Sequence, residues 1–252
     1  MKIAIVTGAS SGMGKEFVKQ IELLYKELDE IWIIARRKER LEELKSQMYT
    51  HIHTFDGDIK DEILFKQIKN RLENQNPDIR MLVNAAGFGK TGMVDSIEEE
   101  AQLDMIDVNC KGLTHMTTLC MPYMQKGSRI VNLASAAAFC PQPSFAVYAA
   151  TKSYVLSFSR ALGVELEDRG IIVTAVCPGP VKTEFFDVAG HAENSFKDAV
   201  MVEASQVVKQ ALVDTKQKKS VSIYGAPMKG AKIATKLLPH EVVLKAIKTM
   251  WN

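Results

Sequence analysis

Apolar runs alternate with amphipathic segments along this chain of 252 residues. Runs rich in branched and aromatic residues, bounded by polar turns, are typical of strands that are buried on both faces. They predict seven strands, at residues 2–7, 31–35, 51–55, 81–83, 129–133, 171–176 and 221–224. Segments in which apolar residues recur every three or four positions are typical of helices packed on a core. They predict helices at residues 13–27, 37–48, 61–73, 99–125 and 148–167.

This alternation of strands with crossover helices predicts an α/β fold, in which helices cover both faces of a parallel sheet. The sequence has no composition break, linker or internal repeat that would separate two domains. Parallel sheets of this kind bind ligands beyond the carboxyl ends of their strands, near the point where the strand order reverses. The residues that follow the predicted strands are therefore the first candidates for chemistry.

Composition and charge narrow the class of protein. The net charge of +2 is nearly balanced, so neither a nucleic-acid footprint nor an acidic tail is indicated. No apolar stretch reaches the roughly 18 residues that a membrane-spanning helix needs, and the first strand leaves no room for a signal peptide. The five histidines have no metal-binding spacing, so we expect no catalytic metal. The cysteines lie among apolar or small residues without paired spacing, which predicts buried free thiols in a reducing cytoplasm: Cys110, Cys120, Cys140 and Cys177.

The first predicted strand runs directly into a glycine-rich turn that opens the first helix, with Gly8, Gly12 and Gly14. Glycines here permit a turn that a Cβ would oppose, and they let the backbone approach a pyrophosphate held by free N–H groups of the helix. The spacing is GxxxGxG instead of GxGxxG, and Lys15 followed by Glu16 is not a P-loop ending. A tight turn without a ligand is the alternative interpretation.

Two arginines, Arg36 and Arg37, follow the second strand at the end that would face an adenosine ribose. An acidic residue there would favour NAD, whereas guanidinium groups suit a 2′-phosphate, so the pair predicts NADP(H). The alternative is the solvated start of a charged helix. Asp58, after the third strand, could accept a hydrogen bond from the adenine amino group or act as a turn or helix cap.

Tyr148 and Lys152 are one helical turn apart, as in many ordinary surface pairs. Together with the glycine turn, Ser135 and Asn109, they suggest a hydride-transfer enzyme. Reduction of a ketone needs a proton donor at the carbonyl oxygen, and a nearby ammonium would lower the tyrosine pKa from about 10. The Ser135 hydroxyl could donate to the same oxygen. The alternatives are that Ser135 is only a turn residue, that Asn109 is a buried amide, and that Tyr148 and Lys152 are an ordinary surface pair.

In this order and combination, the residues resemble the classical short-chain dehydrogenase/reductase family over essentially the whole chain. The matching elements are Thr7-Gly8-x-x-x-Gly12-x-Gly14, Asn84-Ala85-Ala86-Gly87, Asn109, Ser135, Tyr148-x-x-x-Lys152, and Pro178-Gly179 followed by Thr183. The family often has Asn where Ala85 stands and Ile where Met13 stands; neither departure changes a group assigned to catalysis. The resemblance implies a single Rossmann-type, doubly wound domain over residues 1–252, with a seven-stranded parallel sheet. It also implies nicotinamide-dependent interconversion of ketones and secondary alcohols, usually in homodimers or homotetramers.

The resemblance also implies roles for individual residues. Tyr148 would be the acid/base, Lys152 its modulator and a ligand of the nicotinamide ribose, and Ser135 the carbonyl donor. Asn109 would hold a water that links Lys152 to solvent. The residues predicted to contact the cofactor are Gly8, Ser10, Ser11, Gly12, Met13, Gly14, Arg36, Arg37, Asp58, Ile59, Asn84, Ala85, Ala86, Gly87, Tyr148, Lys152, Pro178, Gly179, Val181 and Thr183.

The loops after the fourth, fifth and sixth strands predict an apolar substrate, such as a steroid-like or acyl-derived ketone or alcohol. Their apolar residues are Phe88, Met93, Phe139, Cys140, Phe145, Phe185, Phe186 and Val188. Residues 184–205 are predicted to form a mobile lid over that substrate. We expect the lysine-rich segment 226–252 to pack on its own domain or on a partner subunit, with a membrane-surface helix as the alternative. Its apolar stripe is Leu237, Leu238, Val242, Val243, Ile247 and Met250.

A second class of function remains open at this point. The chain could be a non-catalytic NADP-binding protein that senses redox state or regulates a partner. The presence of Asn109, Ser135, Tyr148 and Lys152 together favours the enzyme, because a sensor has no need of all four.

Overall fold

Seven parallel strands form the central sheet in the computed structural model, which describes residues 1–190, 200–239 and 241–245. In chain order these strands are β1 (Lys2–Thr7), β2 (Glu30–Ala35), β3 (His51–Asp56), β4 (Asp78–Asn84), β5 (Arg129–Leu133), β6 (Ile172–Val176) and β9 (Val221–Ser222). Two short strands, β7 (Val181–Lys182) and β8 (Val202–Glu203), pair separately. The spatial order is β3-β2-β1-β4-β5-β6-β9, so the strand order reverses between β1 and β4. The predicted single Rossmann-type domain with a seven-stranded parallel sheet is confirmed.

Helices cover both faces of the sheet because alternate strand residues point to opposite sides. They are α1 (Gly12–Leu24), α2 (Lys38–Ser46), α3 (Glu62–Gln75), α4 (Glu99–Ile106), α5 (Leu113–Cys120), α6 (Ala146–Glu165), α7 (Phe185–Ala189), α8 (Ala204–Lys216) and α9 (Ala226–Leu237). One buried cluster joins α1, α2 and α8 to the sheet face that carries Ala4 and Val6. The opposite cluster joins α3, α5 and α6 to the face that carries Ile3 and Ile5. The sheet therefore lies between two hydrophobic clusters, one on each face. Its carboxyl edge stays open, and a ligand can bind there.

The predicted continuous helix 99–125 is wrong in detail. Between α4 and α5 the chain forms a π-helical turn over Asp107–Gly112, and a 3-10 turn over Met121–Tyr123 follows α5. The spacing of apolar residues within a single turn is too short a pattern to distinguish 3.6 residues per turn from a wider turn. The π-helical turn therefore left no sign in the sequence pattern. π-helical turns are rare and are often found at functional sites. The π-helical turn of this chain contains Asn109.

Candidate active site

Two adjoining cavities lie along the carboxyl edge of the sheet. The first, of about 270 Å³, begins at the end of β1 and runs past the ends of β2 and β3. The second, of about 300 Å³, lies beside β5 and β6. Both are lined by Met13, Ala85, Gly87, Leu133, Thr183 and Phe185, so they form one continuous cleft. Its position at the reversal of strand order is that of a dinucleotide site in doubly wound folds.

Backbone, not side chains, forms the floor of the first cavity. Gly8 has φ +68°, and a Cβ there would lie 2.7 Å from the Ala85 carbonyl oxygen and 2.7 Å from the Ala86 nitrogen. A Cβ on Gly14 would lie 2.2 Å from the Gly8 carbonyl oxygen. At the N-terminus of α1, the Ser11 side chain makes no capping hydrogen bond. The bare turn and uncapped helix start therefore fit a nucleotide pyrophosphate.

Gly14→Ala should disrupt this turn. Because the new methyl group would meet backbone that cannot rotate away, we expect the variant to lose several kcal/mol of stability and most nucleotide affinity. Gly163→Ala, in α6, is the matched control, since its Cβ would meet nothing closer than Val173 Cβ at 3.6 Å. That control should be neutral or more stable by roughly 0.5–1 kcal/mol. Urea unfolding and nucleotide titration measure both effects; equal stabilities for the two variants would contradict the prediction.

Thr7 holds the far wall of the first cavity, a role that sequence reasoning missed. Its buried hydroxyl oxygen accepts hydrogen bonds from the backbone nitrogens of Ala85 and Ala86, both at 3.1 Å. The Asn84 side chain lies beneath this wall instead of lining the cleft, and its amide donates to Thr117 Oγ1 and Asn132 Oδ1. The two contacts tie the loop after β4 to β1 and β5.

The arginines after β2 lie at the adenosine end of the cleft. Arg37 Nη2 donates to Ser10 Oγ at 3.1 Å and to Ser11 Oγ at 2.8 Å. Its Nη1 donates to Glu184 Oε2 at 2.9 Å, and Glu184 also accepts from Arg40. Arg36 is more exposed and approaches Asp58 at 3.8 Å. The structure therefore joins the predicted Ser10, Ser11 and Arg37, and adds Arg40 and Glu184, which no sequence motif indicated.

Tyr148, Lys152 and Ser135 line the second cavity together. The Tyr148 side chain is only 7% exposed and stacks on Phe145, with ring centroids 4.3 Å apart. Lys152 Nζ donates to the Leu133 carbonyl oxygen at 2.7 Å and lies 5.7 Å from the centroid of the Tyr148 ring. The carboxyl end of β5 thus positions the ammonium, and the start of α6 positions the phenol. The phenol thus lies beside Ser135 in the lining of the second cavity.

Burial dominates the protonation of this pair. It raises the pKa of Tyr148 to about 12, although the hydrogen bond with the Ser135 side chain acts to lower it. Burial also lowers the pKa of Lys152 to about 8. The expectation that Lys152 acidifies Tyr148 is not met in the protein alone, because the amine is bound to the Leu133 carbonyl and desolvation of the phenolate prevails. Burial therefore makes the phenol harder to deprotonate than a free tyrosine.

Asn109 lies behind the cleft, in the π-helical turn. Its Oδ1 accepts from the Phe88 nitrogen at 3.1 Å, and its Nδ2 donates to the Phe88 carbonyl oxygen and to Thr151 Oγ1. A Cβ on Gly87 would lie 2.9 Å from Asn109 Oδ1 and 3.3 Å from Lys152 Nζ. The absence of a side chain at Gly87 therefore leaves Asn109 and Lys152 facing a common space. Their convergence came from the tertiary fold, since 43 positions separate them in the sequence.

The substrate side of the cleft is apolar, but not with all of the predicted residues. Phe145, Phe185 and Phe186 line the second cavity, while Phe88 and Val188 line the first. Phe139 and Cys140 line separate surface grooves, because the 3-10 turn after Ser135 directs them away from the cleft. Met93 is exposed and lines neither cavity. These three assignments were wrong.

The C-terminal segment contributes a residue that sequence reasoning missed. Met228 of α9 lines the second cavity, and a Cβ on Gly179 would lie 2.6 Å from its sulfur. Met228 is not part of the predicted stripe, in which Leu237 is 78% exposed, Val242 is 50% exposed and Val243 is partly buried. Ile247 and Met250 lie outside the described residues, as does segment 191–199 of the predicted lid.

Two further expectations concern what the chain lacks. Within residues 1–190, 200–239 and 241–245, no group of three or more His, Cys, Asp or Glu side chains could hold a metal ion. No helix in that same part of the chain is long and apolar enough to cross a membrane. All four cysteines are free; Cys120 and Cys177 are buried, and Cys110 and Cys140 are partly buried.

Comparisons with known proteins agree with this geometry. A family model described as short chain dehydrogenase matches residues 2–194. An uncharacterized oxidoreductase of Staphylococcus epidermidis is 33% identical over 72% of this chain and 79% of its own length. An NADP-dependent 3-hydroxy acid dehydrogenase of Escherichia coli is 31% identical over 81% of this chain and 85% of its own. A short-chain dehydrogenase from Sphingobium yanoikuyae in complex with NADPH superposes with a TM-score of 0.79, at 25% identity and 94% coverage of both chains.

Proposed function

Because this chain belongs to the short-chain dehydrogenase family and is an oxidoreductase of CH–OH groups with a nicotinamide nucleotide cofactor, we propose that it reduces apolar ketones with NADPH. The observation that carries the proposal is the buried Tyr148, which lines an apolar cavity together with Ser135 and Lys152, beside the nucleotide cleft. Reduction consumes a proton at the carbonyl oxygen, and a phenol that holds its proton in the resting protein can supply it there.

The proposed mechanism assigns one task to each side chain. When bound, the reduced nicotinamide supplies the hydride. Tyr148 donates its phenolic proton to the carbonyl oxygen as negative charge develops there. Ser135 donates a hydrogen bond to the same oxygen. Lys152, held by the Leu133 carbonyl, supplies positive charge beside the phenolate that remains and contacts the nicotinamide ribose.

Asn109 has a proposed role in returning the proton. Its amide is anchored by Phe88 and Thr151, and it shares the space beside Gly87 with Lys152. A water held there would connect the amine with solvent. In this proposal Asn109 acts through Lys152 and does not touch the substrate.

The preference for an apolar substrate rests on the lining of the second cavity. It contains Phe145, Phe185, Phe186 and Met228, and among the described lining residues Lys152 is the only charged side chain. A substrate with its own carboxylate or sulfonate would need a further cation to bind tightly. A panel of apolar ketones, keto acids and sugars, assayed with NADPH, tests this; turnover of charged sugars alone would overturn it.

The preference for NADPH rests on Arg36 and Arg37, and it yields a prediction. Arg37→Ala should lower kcat/KM for NADPH by roughly 10- to 100-fold, since it removes charge-assisted hydrogen bonds to the 2′-phosphate. The value for NADH should change by less than about threefold, because NADH lacks that phosphate. Lys38→Ala removes a neighbouring charge that does not line the cleft and should leave both values unchanged. Equal losses with the two cofactors would contradict the assignment.

The competing proposal is a regulatory NADP-binding protein without turnover. Such a protein would bind nucleotide through the same glycine turn, but its binding would not depend on Tyr148 or Ser135. NADPH oxidation that requires Tyr148 decides between the two. A cytoplasmic location and a homodimeric or homotetrameric state also remain predictions, which fractionation and light scattering can test.

A further inference from the structure

Glu184 connects the two ends of the cleft. Its carboxylate accepts hydrogen bonds from Arg37, at 2.9 Å, and from Arg40. Both arginines belong to the region after β2, whereas Glu184 lies directly before α7, about 145 positions later in the chain. We call this trio of Arg37, Arg40 and Glu184 the carboxylate clasp. It bridges the adenosine end of the cleft and the segment that lines the substrate cavity.

We propose that the Glu184 carboxylate stands in for the nucleotide 2′-phosphate: it holds the arginines until an NADP-type ligand displaces it. The exchange would release the start of α7 and so report cofactor occupancy to the substrate cavity. This inference rests on the proposed use of NADP(H). It makes Glu184 a positioning and specificity-determining residue, not a catalytic one.

The position of Arg37 supports the exchange. Ser10 and Ser11, in the glycine turn, already orient its guanidinium over the first cavity. Glu184 lines that cavity too, so its carboxylate occupies space at the site where a phosphate would have to meet Arg37. Arg36 is drawn toward Asp58, which leaves Arg37 as the better placed of the two predicted phosphate ligands.

The strength of the clasp is suited to displacement. The side chains of Arg37, Arg40 and Glu184 are all between 42% and 45% exposed, so water reaches each partner. Ion pairs with this exposure contribute little, whereas a phosphate monoester carries more charge and three acceptor oxygens. A 2′-phosphate can therefore replace the carboxylate, while a nucleotide with a free 2′-hydroxyl has no means of doing so.

The other end of the clasp reaches the proposed proton donor. Phe185, the next residue after Glu184, packs against Tyr148 with ring centroids 5.4 Å apart. Phe186 and Ala189 of the same short helix line the substrate cavity. Because Phe185 directly follows Glu184, a change in the partners of the Glu184 carboxylate can shift the wall of the substrate cavity.

Binding of two nucleotides to three proteins tests the exchange. Calorimetric titration with 2′,5′-ADP and with 5′-ADP would compare the wild type, Glu184→Gln and Glu203→Gln. The last is a matched control, because Glu203 is an exposed carboxylate that pairs with Lys182, away from the arginines. Removing the internal competitor should tighten 2′,5′-ADP binding by roughly two- to fivefold in Glu184→Gln alone, the range expected for exposed ion pairs. Affinity for 5′-ADP should not change in any of the three.

Hydrogen exchange of α7 tests the connection to the substrate cavity. In the wild type, 2′,5′-ADP should speed amide exchange over residues 185–189, whereas 5′-ADP should not. In Glu184→Gln the exchange should already be fast without ligand. Unchanged exchange in the wild type on 2′,5′-ADP binding would overturn the coupling.

The outcomes separate this inference from the proposed function. If 2′,5′-ADP binds, but Glu184→Gln matches Glu203→Gln or binds more weakly than the wild type, the clasp proposal is wrong and the NADP(H) assignment stands. If none of the three proteins prefers 2′,5′-ADP over 5′-ADP, both are overturned.

Discussion

Tyr148→Phe is expected to lower kcat for ketone reduction by roughly 10²- to 10⁴-fold, the usual contribution of a positioned general acid. The substitution removes only the phenolic oxygen. The ring would keep its stacking on Phe145 and its packing against Phe185, so the fold and the nucleotide affinity should be preserved. The loss should therefore fall on kcat, with the dissociation constant for NADPH changed by less than about threefold.

Tyr154→Phe is the matched control for this experiment. Tyr154 is also on α6, but it is 41% exposed and its hydroxyl bonds Thr114 outside the cleft. Its loss should leave kcat within about twofold of the wild type. NADPH oxidation followed by absorbance, with nucleotide titration of each variant, measures both quantities. Retained turnover in Tyr148→Phe would remove the general acid from the mechanism and leave the regulatory alternative as the better proposal.

Lys152→Met should be the second most damaging change, with kcat lowered by roughly 100-fold and nucleotide affinity also reduced. Methionine fills similar space but neither donates to the Leu133 carbonyl nor carries charge toward the phenolate that forms at Tyr148. Lys111→Met, at an exposed position of the π-helical turn, should have no comparable effect. A loss confined to the cofactor dissociation constant would contradict the proposed influence of Lys152 on Tyr148.

The buried Lys152 should also make the stability of the folded protein depend on pH, an effect that can be measured without any turnover. Burial lowers its pKa in the folded protein to about 8 from the usual 10.5. Between these pH values the unfolded chain binds the proton that the folded chain has released, so this residue makes stability rise with pH. The free energy of unfolding of the wild type, relative to Lys152→Met, should increase on the order of 1.4 kcal/mol per pH unit. If the difference in unfolding free energy between the two proteins stayed constant from pH 8 to 10, burial would not lower the pKa of Lys152, and the prediction would be wrong.

The difference between the two proteins is the proper quantity to measure. Cys120 and Cys177 have pKa values raised to about 12 by burial, and so does Tyr148. Each of these groups makes stability fall with pH above its unfolded pKa, because the unfolded chain then loses a proton that the folded chain keeps. The contributions of Cys120 and Tyr148 are common to the wild type and the variant, so they cancel in the comparison. The contribution of Cys177 cancels only in part, because the charge of Lys152 lowers the pKa of that thiol and is lost in the variant.

Much of the site could be anticipated because it is encoded locally. The glycine turn follows from backbone conformations that only a few adjacent residues decide, and Tyr148 and Lys152 share a face because helical spacing requires it. The apolar runs located all seven strands of the sheet within a few residues. Even α8, which was not predicted, carries its signal in Val207, Val208, Ala211 and Leu212, whose spacing is helical.

Other features had no local signal. Nothing near Thr7 indicates that its hydroxyl accepts from the loop after β4, and nothing near Met228 indicates that its sulfur lies against Gly179. Phe139 and Cys140 have the apolar character of pocket residues, yet the turn they form directs them elsewhere. The type of a residue indicates what its side chain could contact, but it does not indicate the direction in which that side chain points.

By itself, then, the sequence determined the strands of the central sheet, the glycine turn at the cleft and the common helical face of Tyr148 and Lys152, because short-range backbone geometry and hydrophobic period govern all three. Only the tertiary structure decided that burial raises the pKa of Tyr148 and that Glu184 pairs with Arg37 and Arg40. Desolvation and ion pairing depend on residues brought together from distant parts of the chain, and a linear pattern carries no distance between them.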